Sequence, residues 1–232
     1  MAMSAYEDIG MFATGEGLDL TEIPSLEEVD AAWCLSYLRA IRDVAFATVD
    51  NAGLPSVRII DVMAVTPERL YFLAPRGKQF HTDVMREGFV AIVGQTPDLR
   101  TCRLRGRVER PDDERTQHAL VDAIFALNPS MNQIYPGDAR YICDVFCIDA
   151  AQGEYFDLSQ KPIFRKPFKL GEEAEREHAL LITDACIGCG TCAEKCPERC
   201  IEPGEPYKIN QSHCLRCGIC QEACPVQAIV KR

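Results

Sequence analysis

The chain changes its hydrophobic period several times. Between residues 25 and 41 apolar positions recur every three to four residues, with Leu26, Val29, Trp33, Leu35 and Leu38 on one stripe. That spacing predicts an amphipathic helix, and Ser25 with Glu28 at its start has the form of a capping box. From residue 44 to 108 the pattern shortens to strands, over 44–50, 57–65, 69–73, 89–94 and 103–109. Turn residues at 51–53, 66–67 and 96–98 separate them. A short helix is predicted over 79–87 and a longer one over 112–127, with Leu120, Val121, Ile124 and Leu127 on one side. Two more strands, 141–149 and 154–158, flank a turn at Gln152-Gly153. Antiparallel strands at hairpin spacing, with few helices, predict a mostly antiparallel β domain. The expected form is a split or half-closed barrel with flanking helices, not a doubly wound sheet.

The segment 161–171 is basic and broken by prolines, and 172–177 is acidic. A boundary is placed there, giving an N-terminal arm at 1–24, a barrel domain at 25–170, a linker at 171–180 and a small α+β tail at 181–232. No apolar run approaches the roughly 18 residues a membrane-spanning helix needs. Glu7, Asp8, Glu16, Asp19 and Glu22 precede any basic residue, the reverse of an export signal. The expectation is a cytoplasmic protein with no membrane partner. A net charge of −10 also argues against nucleic acid, which rewards clustered cations.

Cysteine usage changes the picture most. Of 13 cysteines, nine lie beyond residue 170. An odd count and no export signal make a disulfide framework the wrong expectation. Two blocks of the tail superimpose at an offset of 28 residues: Cys186, Cys189, Gly190, Cys192, Cys196 and Pro197 correspond to Cys214, Cys217, Gly218, Cys220, Cys224 and Pro225. Each reads C-x2-C-x2-C-x3-C-P, the run in which the fourth cysteine ligates the other cluster. Zinc is the rival, since C-x2-C is also zinc-knuckle spacing, but zinc does not call for the doubled triplet-plus-one form. The tail resembles a bacterial two-cluster ferredoxin. The resemblance implies two [4Fe–4S] clusters, one on Cys186, Cys189, Cys192 and Cys224, the other on Cys214, Cys217, Cys220 and Cys196. Cys200 departs from the repeat, its counterpart being Ala228; it reads as a small buried hydrophobe or as a spare thiol ligand.

The larger domain shows no dinucleotide fingerprint, phosphate loop, nucleophile elbow or histidine grouping. Three stretches in order, 44–61, 70–78 and Arg103-Leu-Arg-Gly-Arg-Val-Glu109, resemble the pyridoxamine 5′-phosphate oxidase-like split barrel. That resemblance implies FMN at a homodimer interface. By position Arg58 approaches its phosphate, the backbone of Ile59, Ile60 and Asp61 runs along the ring, and Lys78 with Gln79 holds the phosphate again. Solvated surface charge is the bland alternative for Arg58 and Lys78, although Arg58 sits within an apolar run and invites a buried anion. Arg103, Arg105 and Arg107 share one strand face. They read as a solvated face, as a contribution to flavin phosphate across the dimer, or as a patch for an acidic electron partner. Cys143 and Cys147 also share a face and read as packed core. The functional expectation is a flavin and iron–sulfur oxidoreductase working with a redox partner or small-molecule acceptor; a non-catalytic electron carrier or redox sensor is the alternative.

Overall fold

A computed structural model describes residues 7–13, 18–25, 27–172 and 179–232. Leu26 of the predicted stripe, part of the N-terminal arm and linker residues 173–178 lie outside the described residues. The elements of the larger domain run α1 (Ala31–Ile41), β1 (Asp43–Val49), β2 (Pro55–Asp61), β3 (Ala64–Val65), β4 (Leu70–Pro75), α2 (Gln79–Glu87), β5 (Phe89–Gln95), β6 (Arg100–Glu109), α3 (Glu114–Leu127), α4 (Met131–Ile134), β7 (Cys143–Asp157) and β8 (Phe164–Leu170). The tail follows with β9 (Leu180–Ile182), α5 (Thr191–Lys195), β10 (Ile201–Glu202), β11 (Lys208–Ile209), α6 (Ile219–Ala223) and β12 (Ile229–Lys231).

One antiparallel sheet of eight strands, in the order β2-β1-β5-β6-β7-β4-β3 with β8 also on β7, curls into the half-barrel. The sequence expectation of a mostly antiparallel barrel with few helices holds. Its pivot is β7. The first half of that strand pairs with β4, Leu70 opposite Ile148, and the second half lies between β6 and β8. Sequence reading split this strand at Gln152-Gly153, and the structure corrects it: the strand is continuous. Gly153 is there for close approach, since a Cβ would fall 2.3 Å from the Phe168 ring and 2.6 Å from the Arg103 carbonyl oxygen. The proline-broken segment likewise supplies a strand, β8, with Pro167 opposite Glu154.

Helix α1 starts later than its capping box implied. Ser25 and Glu28 do exchange backbone-to-side-chain hydrogen bonds, Ser25 N to Glu28 Oε2 at 2.7 Å and Glu28 N to Ser25 Oγ at 3.4 Å. They close only a turn. Asp30 is the helix cap, its Oδ1 accepting from Trp33 N at 2.8 Å. Helix α2 has its predicted bounds and stops at Gly88, a left-handed C-cap.

The barrel core is hydrocarbon and aromatic. Phe46, Phe72, Phe80 and Phe146 form a chain of ring contacts, with Phe46–Phe72 centroids 5.0 Å and Phe72–Phe146 5.4 Å apart. A second core lies under α3 and includes Cys143 and Cys147, packed as expected. The described part of the arm is tied down: Asp8 is buried and pairs with Arg69 at 2.8 Å, and the Arg100 guanidinium donates to the Leu20 and Glu22 carbonyls. Among the described residues no helix is long and apolar enough to cross a membrane.

The tail repeats in three dimensions what it repeats in sequence. Helices α5 and α6 are related by 28 residues, and Gly190 and Gly218 enter them at φ 76° and 87°. The tail's ends meet, β12 pairing with β9, and β10 pairs with β11.

Candidate functional site

Two small cavities open within the tail. One is lined by Cys186, Cys189, Cys192 and Cys224. The other is lined by Cys214, Cys217, Cys220 and Cys196, with Cys200 as a fifth thiol. Each therefore gathers three cysteines of one block and the fourth of the other. The thiols of each set ring a cavity: among the described residues no three Cys, His, Asp or Glu side chains converge on a single-ion site. Backbone amides reach two of the sulfurs, Arg216 N to Cys214 Sγ and Ala228 N to Cys224 Sγ, both at 3.3 Å. Cys200 Sγ lies 3.6 Å from Cys196 Sγ. Hydrogen bonding from Cys200, against an opposing push from burial, holds the Cys214 thiol down to about 6; the Arg216 amide and the Arg165 and Arg216 guanidinium groups act in the same direction.

Glu198 in the wall of the second cavity, and His213 and Arg216 beside lining residues Cys214, Leu215 and Cys217, also meet the barrel. His213 Nδ1 lies 2.8 Å from the Ile163 carbonyl oxygen, and Ile163 N donates to Glu198 Oε2 at 3.2 Å. Arg216 Nη1 stands 3.0 Å from Glu154 Oε1 on β7. Glu154 is buried and also receives Arg103 at 2.6 Å and Arg165 at 2.7 Å. Burial pushes its carboxyl up, but Arg165, Arg216 and Arg103 outweigh it and leave the group below its ordinary value. Sequence reading missed this junction. The available signal was a break in the repeat, because Arg216 stands where the first block has Gly188, and both residues take positive φ, 56° and 69°.

Beside the junction the outer face of the sheet forms the floor of a cleft of about 580 Å³, walled on one side by the tail. Cross-strand register sets out that floor in two rows. Ile59, Ala45, Val93, Arg103 and Glu154 face one another in order, and so do Val57, Ala47, Ala91, Arg105 and Gln152. The face is apolar on β2, β1 and β5 and turns basic at β6.

The predicted flavin residues fall on β2 and at the start of α2. Arg58 does meet a buried anion, but an internal one: Asp83, 3.4 Å away on α2. Its remaining donors go to Thr48 Oγ1 at 2.6 Å and Ser56 Oγ at 2.5 Å, and its guanidinium lies over the Phe80 ring. Asp61 pairs with Arg42 at 3.1 Å. Gln79 Nε2 donates to Asp83 Oδ1 at 2.8 Å. Lys78 is exposed at the N-cap of α2 and offers no capping hydrogen bond, so the first amides of that helix lack a side-chain acceptor beside a cation. The structure thus brings Arg58, Gln79 and Asp83 together, with Lys78 at the open end of the group. Ile59 is 64% and Val57 65% exposed on the outer face.

Residues 185–228 match the family of 4Fe-4S dicluster domains. A ferredoxin of Butyribacterium methylotrophicum is 50% identical over 34 residues, which is 15% of this chain and 62% of the ferredoxin. A pyridoxine/pyridoxamine 5′-phosphate oxidase of Cereibacter sphaeroides is 36% identical over 84 residues, 36% of this chain and 40% of the oxidase. The crystal structure of a NimC/NimA family protein from Clostridium acetobutylicum superimposes with a TM-score of 0.50 at 15% identity, over 72% of this chain and all of that one. The chain joins a split barrel like that of the oxidases to a ferredoxin-type dicluster domain. It spans less than two thirds of the length of either curated relative, and at 15% identity the structural likeness speaks for the fold alone.

Proposed function

We propose that the protein is an oxidoreductase that passes electrons between FMN on the barrel and two [4Fe–4S] clusters in the tail. The observation that carries this reading is the pair of four-thiol cavities, one of them lined by Glu198, which accepts from the barrel's Ile163 N. Thiolate sets that ring a cavity suit a cubane, whereas a lone zinc ion wants its four sulfurs converged about one point. Cys186, Cys189, Cys192 and Cys224 would hold one cluster, and Cys214, Cys217, Cys220 and Cys196 the other. Flavin supplies two-electron chemistry and each cluster one-electron exchange.

The donor set at the start of α2 fits a phosphate: Lys78 and the uncapped amides are available there, with Arg58 behind them and already committed to Asp83. The flavin ring would lie along the backbone of Ile59, Ile60 and Asp61. A second copy of the chain would cover the apolar edge at Val57 and Ile59, an exposure more typical of an interface than of a free surface. An open cleft beside the two domains favours an enzyme with a small-molecule acceptor over a sealed carrier or sensor.

Anaerobically purified full-length protein is expected to hold about eight irons and eight sulfides per chain, with one FMN. Reducing the clusters with a one-electron donor should bleach the flavin at a rate independent of protein concentration. Stoichiometric zinc, or flavin reduction that scales with concentration, would overturn the reading.

A further inference from the structure

The cleft between the sheet and the tail has a chemistry that neither the flavin residues nor the cluster cysteines use. Among the described residues four arginines line it, Arg103, Arg105, Arg165 and Arg216, against one carboxylate, Glu154. In a chain of net charge −10 this is a local cationic centre. Three of the four are partly spent on Glu154. Even so, the Nε–H groups of Arg165 and Arg216 are buried and meet no acceptor among the described residues, a condition that costs free energy unless an anion or water arrives.

Arg105 is freer still. Its cross-strand neighbours are Ala91 and Gln152, neither of them acidic, and its side chain makes no hydrogen bond or ion pair among the described residues. The opposite half of the floor, Ala45, Ala47, Val57, Ala91 and Val93, presents only small or branched apolar side chains. At about 580 Å³ the cleft has the size and lining of a small-molecule site.

We propose that this cleft binds a small organic acid, with its apolar body on the β1-β5 floor, beside the β2 edge left to the second copy, and its anionic group against Arg105 and the arginine cluster at the tail junction. The guanidinium fork accepts a carboxylate or a phosphate ester in two parallel hydrogen bonds, so the anion's identity is left to the test. Binding stands without the flavin reading. Its redox role rests on that reading, which would make the bound acid the small molecule that exchanges electrons.

The probe is 2-naphthoate, with naphthyl phosphate and the neutral 2-naphthamide as companions, titrated calorimetrically into the anaerobic full-length protein. One site per chain is expected, with 2-naphthamide at least tenfold weaker than whichever anion binds better. That preference distinguishes a carboxylate from a phosphate site. Arg105→Gln should weaken the anion tenfold or more and leave 2-naphthamide unchanged, and Arg105→Lys should recover part of the loss. Because the Arg105 side chain holds no ion pair among the described residues, Arg105→Gln, which keeps most of its length, should not disturb folding. Lys78→Ala, which removes the proposed flavin-phosphate cation, should leave anion binding intact, so failure of the flavin reading and failure of this one are separable. Equal affinity for the neutral and charged probes would overturn the proposal, as would an unchanged Arg105→Gln. Displacement of naphthoate by FMN would also overturn it by placing flavin in the cleft, and a change of subunit assembly in Arg105→Gln would overturn it by placing a second copy there.

Discussion

The barrel and the tail are held together by different materials. The barrel buries rings and branched aliphatics: Phe46, Phe72, Leu35, Leu38 and Leu70 are all inaccessible to solvent. Its core would be a core in any redox state. The tail buries seven residues in its own cluster, and four of them are Cys192, Cys200, Cys214 and Cys220. Leu180, Ile201 and Ile229 are the hydrocarbon that remains. A domain of about fifty residues with so small a hydrocarbon core ordinarily needs metal, disulfides or a partner to hold its fold. The tail's fold therefore depends on what its thiols bind, and the barrel's does not.

The largest expected effect tests that contrast directly. Removing iron anaerobically with a strong chelator should unfold the tail outright, seen as rapid proteolysis beyond residue 180. The barrel's thermal transition should survive. A tail that stays protease-resistant without iron would show that its hydrocarbon suffices.

The same contrast decides what could be read in advance. Where structure follows from local chemistry, the sequence showed it. Helix α2 was legible because Gly88 stops it, and the dicluster domain because its doubled cysteine run is a property of short segments. Where structure follows from contacts between distant elements, it was hidden. Gln152-Gly153 has the composition of a turn, yet Gly153 lies within a strand because Phe168 of β8 occupies the place of its side chain. Arg58 signalled a buried anion, and only the fold shows it to be Asp83 of α2. Arg216 was visible as a departure from the repeat, but its partner Glu154 lies in the other domain.

A middle-sized effect concerns the place where the two materials join. Glu154→Gln leaves three arginines facing a neutral amide, and breaking a buried pair in this way costs roughly 3–5 kcal/mol. Calorimetry at neutral pH should then resolve separate barrel and tail transitions where the parent protein melts more cooperatively. The pH dependence carries the same sign. A carboxyl held below its ordinary value gives its full contribution above about pH 4.3 and loses it as pH falls through the lower folded value. Coupling between the domains should therefore be flat from pH 5 to 8 and fail in acid.

The smallest effect tests whether every buried thiol in the tail belongs to the metal. Cys200 lines the second cavity and sits 3.6 Å from Cys196, yet the repeat gives its counterpart as Ala228, which is also buried. The first cavity thus closes with four thiols and an alanine, and the second with four thiols and a cysteine. If four ligands complete each cluster, Cys200 acts as packing, and its exchange for alanine removes one sulfur from a site that the other block fills with a methyl group. Cys200→Ala should then leave iron and sulfide content unchanged and lower the tail's stability by about 1 kcal/mol, the scale of a small core truncation. Cys217→Ala should lose the second cluster, since it removes one of the four thiolates assigned to it. Loss of iron in Cys200→Ala would make the fifth thiol a ligand.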